Sequence, residues 1–236
     1  MRAIGIDGCR CGWIAVWIDK AGHRGFEVLP KIDCVKKFKA EMVMIDVPIG
    51  LPQSGYRCCD QAARKMLGSS GRSRVFLGVL RPLLTYLDDF DPANLGFVEA
   101  FNLANARAKL QYGRGISRQL FGILPKVKEV DQFMIHSNIQ ETFRETHPEL
   151  IFHRLNGGVC LPAKKTPEGK KQRRDLLAKC GFEDIDAWLS KLFRSGARPD
   201  DLLDACACAI AADSTGRKLE CKRESDARGL RMEMWF

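Results

Sequence analysis

Five carboxylates stand at positions where an acid needs a partner. Asp7 ends the apolar run MRAIGID, and Asp46 ends EMVMID. Glu145 lies inside ETFRETHPELIF, and Asp201 and Asp204 stand three apart in RPDDLLDACACAIAAD. Asp is depleted in strands, and a carboxylate in an apolar setting costs desolvation unless it is paired, hydrogen-bonded or bound to a cation. Hard divalent cations such as Mg²⁺ and Mn²⁺ take such oxygen ligands, a few carboxylates completed by water and substrate phosphate. Two such ions about 3.5–4 Å apart activate a water and stabilise the leaving oxygen in phosphodiester cleavage. On this reading Asp7, Asp46 and Asp204 hold metal, and Asp201 or Glu145 completes the shell. Plainer readings stand beside it. Asp7 with Gly8 suits a hairpin turn, and Asp200, Asp201 and Asp204 suit the dipole at a helix start, one as cap and two solvated. Acids three apart on one helix face repel each other, and a cation between them relieves the repulsion.

The elements that must carry these acids follow from the patterning. Residues 1–19 read as a β-hairpin in which Ala3, Gly5 and Asp7 share one face and Ile4 and Ile6 the other. Residues 25–30 read as a third, edge strand and 33–39 as a short basic helix. Residues 41–48 form the clearest strand, with Met42, Met44 and Asp46 on one face and Val43, Ile45 and Val47 on the other; Pro48 stops the ladder. Asp46 therefore sits at a strand's carboxyl end, where ligand sites of open α/β sheets gather. Helices are predicted over 59–67, 98–110, 133–140, 172–180, 184–194 and 198–213. Residues 68–74 (GSSGRSR) and 162–171 (PAKKTPEGKK) read as basic loops, the first without the residue order of a P-loop. Residues 141–152 hold a strand candidate broken by Pro148, with Glu145, His147 and Glu149 alternating, and 229–236 reads as a terminal strand. The patterning predicts an α/β chain with one domain over 1–236 and a helical insertion over roughly 53–140.

The chain has 236 residues, 45% of them hydrophobic, enough for a sizeable core. Lys plus Arg exceeds Asp plus Glu, 38 against 29, and the net charge of +9 suits a phosphate-bearing partner such as nucleic acid. Ten cysteines include no C-x-x-C pair, so reduced thiols rather than a zinc knuckle are expected. Neither a leader pattern nor a run of about 20 apolar residues is seen, which predicts a cytoplasmic protein without a membrane partner; the oligomeric state is not legible. Trp13 and Trp17 read as core, His147 as a hydrogen-bonded structural residue, and Arg10, beside Asp7, as either a phosphate contact or a solvated turn residue.

Several motifs in order carry a family resemblance: GIDGCRCGW (5–13), IDVPIGLP (45–52), CDQAAR (59–64), GISRQ with LPKVKEVD (115–131), ETHPEL (145–150), KKT (164–166), DDLLDA (200–205) and GLRMEMWF (229–236). Over nearly its whole length the chain resembles the predicted nuclease family with a ribonuclease-H-like fold, long catalogued as a domain of unknown function. The resemblance implies a ribonuclease-H-like mixed sheet flanked by helices, and Mg²⁺ or Mn²⁺ as cofactor. It makes Asp7 the defining acid, Asp46 the second, and Asp201 and Asp204 followed by Ala205 the D-x-x-D-A helix of RuvC-type resolvases. Glu145 is then an extra ligand or orients one, and Lys126, Lys164 and Lys165 contact phosphate. One departure is FLGVLRP after Val75, where a more Pro-rich stretch is expected. The leading expectation is a divalent-metal-dependent nuclease. One alternative is a non-catalytic nucleic-acid-binding module, which would have no need of clustered carboxylates. The other is an ATP-dependent phosphotransferase of the actin-like superfamily, for which 236 residues are few to build two domains around a cleft.

Overall fold

β1 (Ala3–Cys9) is the middle of the sheet, and everything else is arranged on it. It pairs antiparallel with β2 (Gly12–Ile18), and β2 pairs antiparallel with β3 (Arg24–Leu29). Its other edge pairs in parallel with β4 (Met42–Ile45), and β4 pairs in parallel with β5 (Phe143–Glu145). The order is β3-β2-β1-β4-β5. The structure, a computed structural model, describes residues 1–137, 139–192 and 196–236. The β1–β2 turn is two residues long, Arg10 and Cys11, because Cys9 pairs with Gly12. Gly12 has φ +139°, and a β-carbon there would lie 2.0 Å from the Leu29 carbonyl oxygen, so the hairpin admits only glycine.

Parallel strands need a crossover, and the one between β4 and β5 is helical. It runs through α1 (Cys58–Gly71), α2 (Tyr86–Asp89), α3 (Pro92–Leu95), α4 (Phe97–Tyr112) and α5 (Arg118–Ser137). After β5 come α6 (Pro148–Leu155), α7 (Pro167–Lys179), α8 (Ile185–Leu192) and α9 (Pro199–Asp213). Period-two alternation splits the sheet into two apolar faces. Ile4, Ile6, Trp13, Ala15, Val43 and Ile45 pack against α4 and α5. Ala3, Ile14, Val16, Ile18 and Met44 pack against α9 and its neighbours. The small side chains of α9 let it be buried on nearly all sides: Ala205 through Ala209 are each 0% exposed.

Several boundaries differ from those expected, each for a local reason. Residues 68–74 are not a loose loop: α1 continues past a break at Gly68 (φ 61°), and a 3₁₀ turn covers Arg72–Arg74. The segment 33–39 is a 3₁₀ turn, Ile32–Phe38. α5 begins at Arg118, well before residue 133, because Leu120, Phe121, Leu124, Val127 and Val130 repeat at helical spacing and are all buried; residue 138 of that predicted helix lies outside the described residues. The strand expected over 141–152 stops at Glu145, since Pro148 takes the first-turn position of α6, where its missing N–H is harmless. The helix predicted over 184–194 is α8, and residues 193 and 194 lie outside the described residues. The terminal strand is a correction: 229–236 alternates as expected, burying Leu230, Met232 and Met234, but makes only isolated bridges, among them Trp235 to Thr146 and to Lys218. Among the described residues, no helix is long and apolar enough to cross a membrane, and all ten cysteines are free.

Candidate functional site

The register of β1 on β4 brings the first two acids together. Gly5 pairs with Met44 and Ile6 with Ile45, so Asp7 and Asp46 follow as lateral neighbours on the α9 face. The Asp46 N–H donates to the Ile6 carbonyl at 3.0 Å, which holds the two chains side by side where the ladder ends. Asp7 lies three residues before the hairpin turn and does not cap it; its Oδ1 accepts from the adjacent Gly8 N–H at 2.7 Å.

Gly5 then decides where α9 goes. A β-carbon on Gly5 would lie 2.2 Å from the Ala205 carbonyl oxygen and 2.0 Å from the Ala209 nitrogen, so the helix backbone rests directly on the strand. That contact carries the first turns of α9, with Asp201 and Asp204, over the carboxyl ends of β1 and β4. Asp204 is 4% exposed. Asp201 accepts from the Arg198 N–H at 2.9 Å, so it closes the helix start as well as facing the other acids. Asp201 rather than Asp200 is the one whose charge reaches Asp7.

The electrostatics follow from this crowding. Burial pushes the Asp7 carboxyl well above its ordinary range, and Asp46, Asp204 and Asp201 push it further. Burial likewise raises Asp46 to about 6, with Asp204 and Glu149 adding and His147 and Lys164 opposing. Asp201 and Asp204 are raised as well, again mainly by burial. One cation offsets all four: the Lys164 ammonium donates to Asp204 Oδ2 at 2.9 Å and draws Asp7, Asp46 and Asp201 downward. As the side chains stand, no three His, Cys, Asp or Glu among the described residues are gathered closely enough to hold a metal ion. The donor set is nevertheless all carboxylate oxygen, crowded and short of positive charge, which suits a hard divalent cation.

The remaining candidates are placed elsewhere. Glu145 lies on the opposite face from Asp46, 3% exposed, and both its oxygens are taken by Arg57, at 2.6 and 2.7 Å; Oε2 also accepts from the Ile49 N–H at 2.7 Å. Burial lifts it to about 7 against the pull of Arg57. It is a buried ion-pair partner, not a member of the aspartate group. Lys126 sits at the hairpin mouth, donating to the Gly12 carbonyl at 2.7 Å and lying 4.4 Å from the centre of the Trp13 ring. Arg10 and Lys165 are exposed. His147 caps α6, its Nδ1 accepting from the Glu149 N–H at 3.2 Å.

Sequence reasoning missed the pairing of four buried charges, Arg57, Asp60, Glu149 and Arg173. Arg57 joins Glu145 to Asp60, and Glu149 joins Arg74 to Arg173. Burial works against the Glu149 carboxylate, but Arg173 and Arg74 hold it below its ordinary value. Nothing in KKQRRDLLAK separates Arg173, 1% exposed, from its solvated neighbour Arg174. A family model described as a protein of unknown function (DUF429) matches residues 5–222. No curated protein and no solved structure matches the chain.

Proposed function

The chain belongs to the DUF429 family, whose description assigns no activity, and from the geometry itself we propose that it is a divalent-metal-dependent nuclease with a ribonuclease-H-like core. The observation that carries the reading is the meeting of Asp7, Asp46, Asp201 and Asp204, from two strands and a helix, at one end of one sheet face. Structural acids are ordinarily paired off, as Glu145 and Glu149 are here with arginines. Four aspartates gathered around a single lysine, with Asp204 raising the other three, are instead arranged for a cation not yet counted. A meander β3-β2-β1 extended by two parallel strands, with acids ending β1 and β4, is the layout such a core requires.

Asp7, Asp46 and Asp204 would hold Mg²⁺ or Mn²⁺, with Asp201 beside them. A bound ion supplies Lewis acidity and a water of lowered pKa. The chain's own part is to hold the carboxylates rigidly on β1, β4 and α9 and to keep the α9 N-terminus, a partial positive charge, at the anionic end. Lys126 and Arg10 flank the hairpin mouth on the substrate side. The +9 charge favours nucleic acid as substrate, and a cleft of about 530 Å³ at the β5 edge has a mixed, net basic lining, with Arg144, Lys218, Lys222, Arg223, Arg231 and Trp235 set against Glu224 and Glu233.

The test is Mn²⁺ calorimetry on the parent and on Asp7→Asn, followed by cleavage assays on labelled DNA and RNA. Binding at tens of micromolar or tighter that is lost in the variant, with cleavage lost alongside it, is the expected result. Cleavage retained in full by Asp7→Asn would sink the proposal, and salt-sensitive nucleic-acid binding indifferent to EDTA and without cleavage would replace it with the binding-module reading.

A further inference from the structure

We infer that Lys164 is a resident cation of the aspartate group, supplying through its contact with Asp204 the positive charge that a second metal would supply, so that the site takes one divalent ion rather than two; the inference rests on the metal-dependent reading above. A lysine in a basic loop is ordinarily a solvated side chain with free reach. The Lys164 side chain is itself 45% exposed, but its reach is not free, because the backbone around it is braced from three sides. Arg74 donates to the Leu161 carbonyl at 2.8 Å, Arg173 to the Pro162 carbonyl at 3.0 Å, and the Thr166 hydroxyl to the Ala163 carbonyl at 2.8 Å. Thr166 in turn caps α7, accepting from the Gly169 N–H at 3.0 Å. The loop lies so close to that helix that a β-carbon on Gly169 would sit 2.2 Å from the Ala163 carbonyl oxygen. Arg74 and Arg173 are themselves tied together through Glu149.

The braced loop delivers the ammonium to the most buried of the aspartates. Nζ is 2.9 Å from Asp204 Oδ2, and the Asp204 side chain is 5% exposed, so the pair is largely desolvated at the carboxylate. Both Lys164 and Lys165 are exposed along their side chains; what sets Lys164 apart is its ion pair with Asp204. In charge terms, the four carboxylates and the one ammonium that acts on all of them give a formal −3, with Arg198 facing Asp201, and Arg173, itself paired with Glu149, facing Asp204. One divalent ion brings the group to −1, whereas a second would have to displace Lys164 from Asp204 or share an oxygen with it. An ammonium at that place contributes a fixed positive charge and N–H donors without needing ligands of its own. Lys164 is thus a positioning residue: it holds Asp204 and limits the ion count.

Counting bound Mn²⁺ tests this on the full chain, by calorimetric stoichiometry and by the electron paramagnetic resonance signal of the free ion. The parent is expected to bind one ion per chain and Lys164→Ala two. Lys164→Arg, which keeps the charge, should return to one, and Lys165→Ala should stay at one. Lys164→Gln repeats the count if the alanine variant does not fold. Two ions in the parent, or one in every charge-removing variant at Lys164, would overturn the inference and leave the metal-dependent reading standing. No ion in the parent or any variant would overturn both.

Discussion

Gly5 and Ala205 touch backbone to backbone. With a β-carbon at Gly5 only 2.2 Å from the Ala205 carbonyl oxygen, nothing larger than hydrogen fits between β1 and α9. Asp7 lies two residues beyond Gly5 on the same face, and Asp204 immediately precedes Ala205. The closeness of strand and helix at this one point therefore sets how near the acids of the two elements come.

Replacing Gly5 by Ala should push α9 away from the sheet. The clash is with helix backbone, which has no rotamer to change, so the cost should reach about 1–3 kcal/mol or more. Gly122 is the contrast. It lies inside α5, and a β-carbon there meets only the Phe97 ring, at 3.9 Å. Gly122→Ala should stabilise by about 0.5–1 kcal/mol through helix propensity and a less free unfolded chain. Thermal midpoints that move in opposite directions for the two variants, with Mn²⁺ affinity reduced only by Gly5→Ala, are the expected outcome.

The metal-free protein should lose stability as pH rises from about 4 to about 6. Asp46 titrates near 6 in the fold against an ordinary 3.8, so the folded chain holds the proton that the unfolded chain has already released. Stability then falls with rising pH, by at most about 3 kcal/mol, and by less because water reaches this half-buried carboxyl. Asp7 and Asp204, also raised, act with the same sign. Asp46→Asn removes its share. In EDTA, the midpoint of Asp46→Asn minus that of the parent should grow between pH 4 and 6 and level off above; a difference that is flat or shrinks across that window would contradict the placement of Asp46.

The aspartates were legible because strand alternation and strand ends are written in residue order: Asp7 follows Gly5 on one face, and Pro48 marks where β4 must stop beyond Asp46. Glu145 shows where the same logic stops. Alternation says which residues share a face, but only the pairing of Ile45 with Glu145 says which face that is, and register between distant strands is absent from residue order. Lys164 illustrates a different loss. PAKKTPEGKK reads as a solvated loop, and the bracing that aims one of its lysines at Asp204 comes from Arg74, far away in the chain, and from Arg173 in the helix that follows. The terminal alternation was real in burial, yet it did not make a strand. Trp235 bonds the Glu145 carbonyl at 2.9 Å, but on that side the chain beyond Thr146 turns into α6, and on the other side the bonds from Arg217 and Leu219 make only an isolated bridge, Lys218 to Trp235.

Glu145→Gln separates the ion-pair role from a ligand role. The carboxylate satisfies a guanidinium that is 2% exposed and also paired to Asp60. Removing one partner of a buried pair typically costs about 3–5 kcal/mol, because the other charge stays behind. The variant should therefore be strongly destabilised, with Mn²⁺ affinity within a factor of about two of the parent where both are folded. A loss of Mn²⁺ binding comparable to that of Asp7→Asn, without loss of stability, would return Glu145 to the metal site.

Charge reversal at Lys222 and Arg223 tests the substrate side. Both are exposed and line the cleft at the β5 edge, where Arg144 also lies 3.9 Å from the centre of the Trp235 ring. The double variant Lys222→Glu with Arg223→Glu touches no buried group, so the thermal midpoint should hardly move. If the cleft carries a phosphodiester backbone, the affinity for a labelled single strand should fall at least tenfold at low salt. The slope of log affinity against log salt should also flatten by about 1.4, two contacts at roughly 0.7 each. Mn²⁺ binding should be untouched, since the aspartates sit on β1, β4 and α9 and not on this edge. Affinity and slope both unchanged would mean that the +9 charge acts elsewhere on the surface, and would leave Lys126 and Arg10 at the hairpin mouth as the contacts to reverse next.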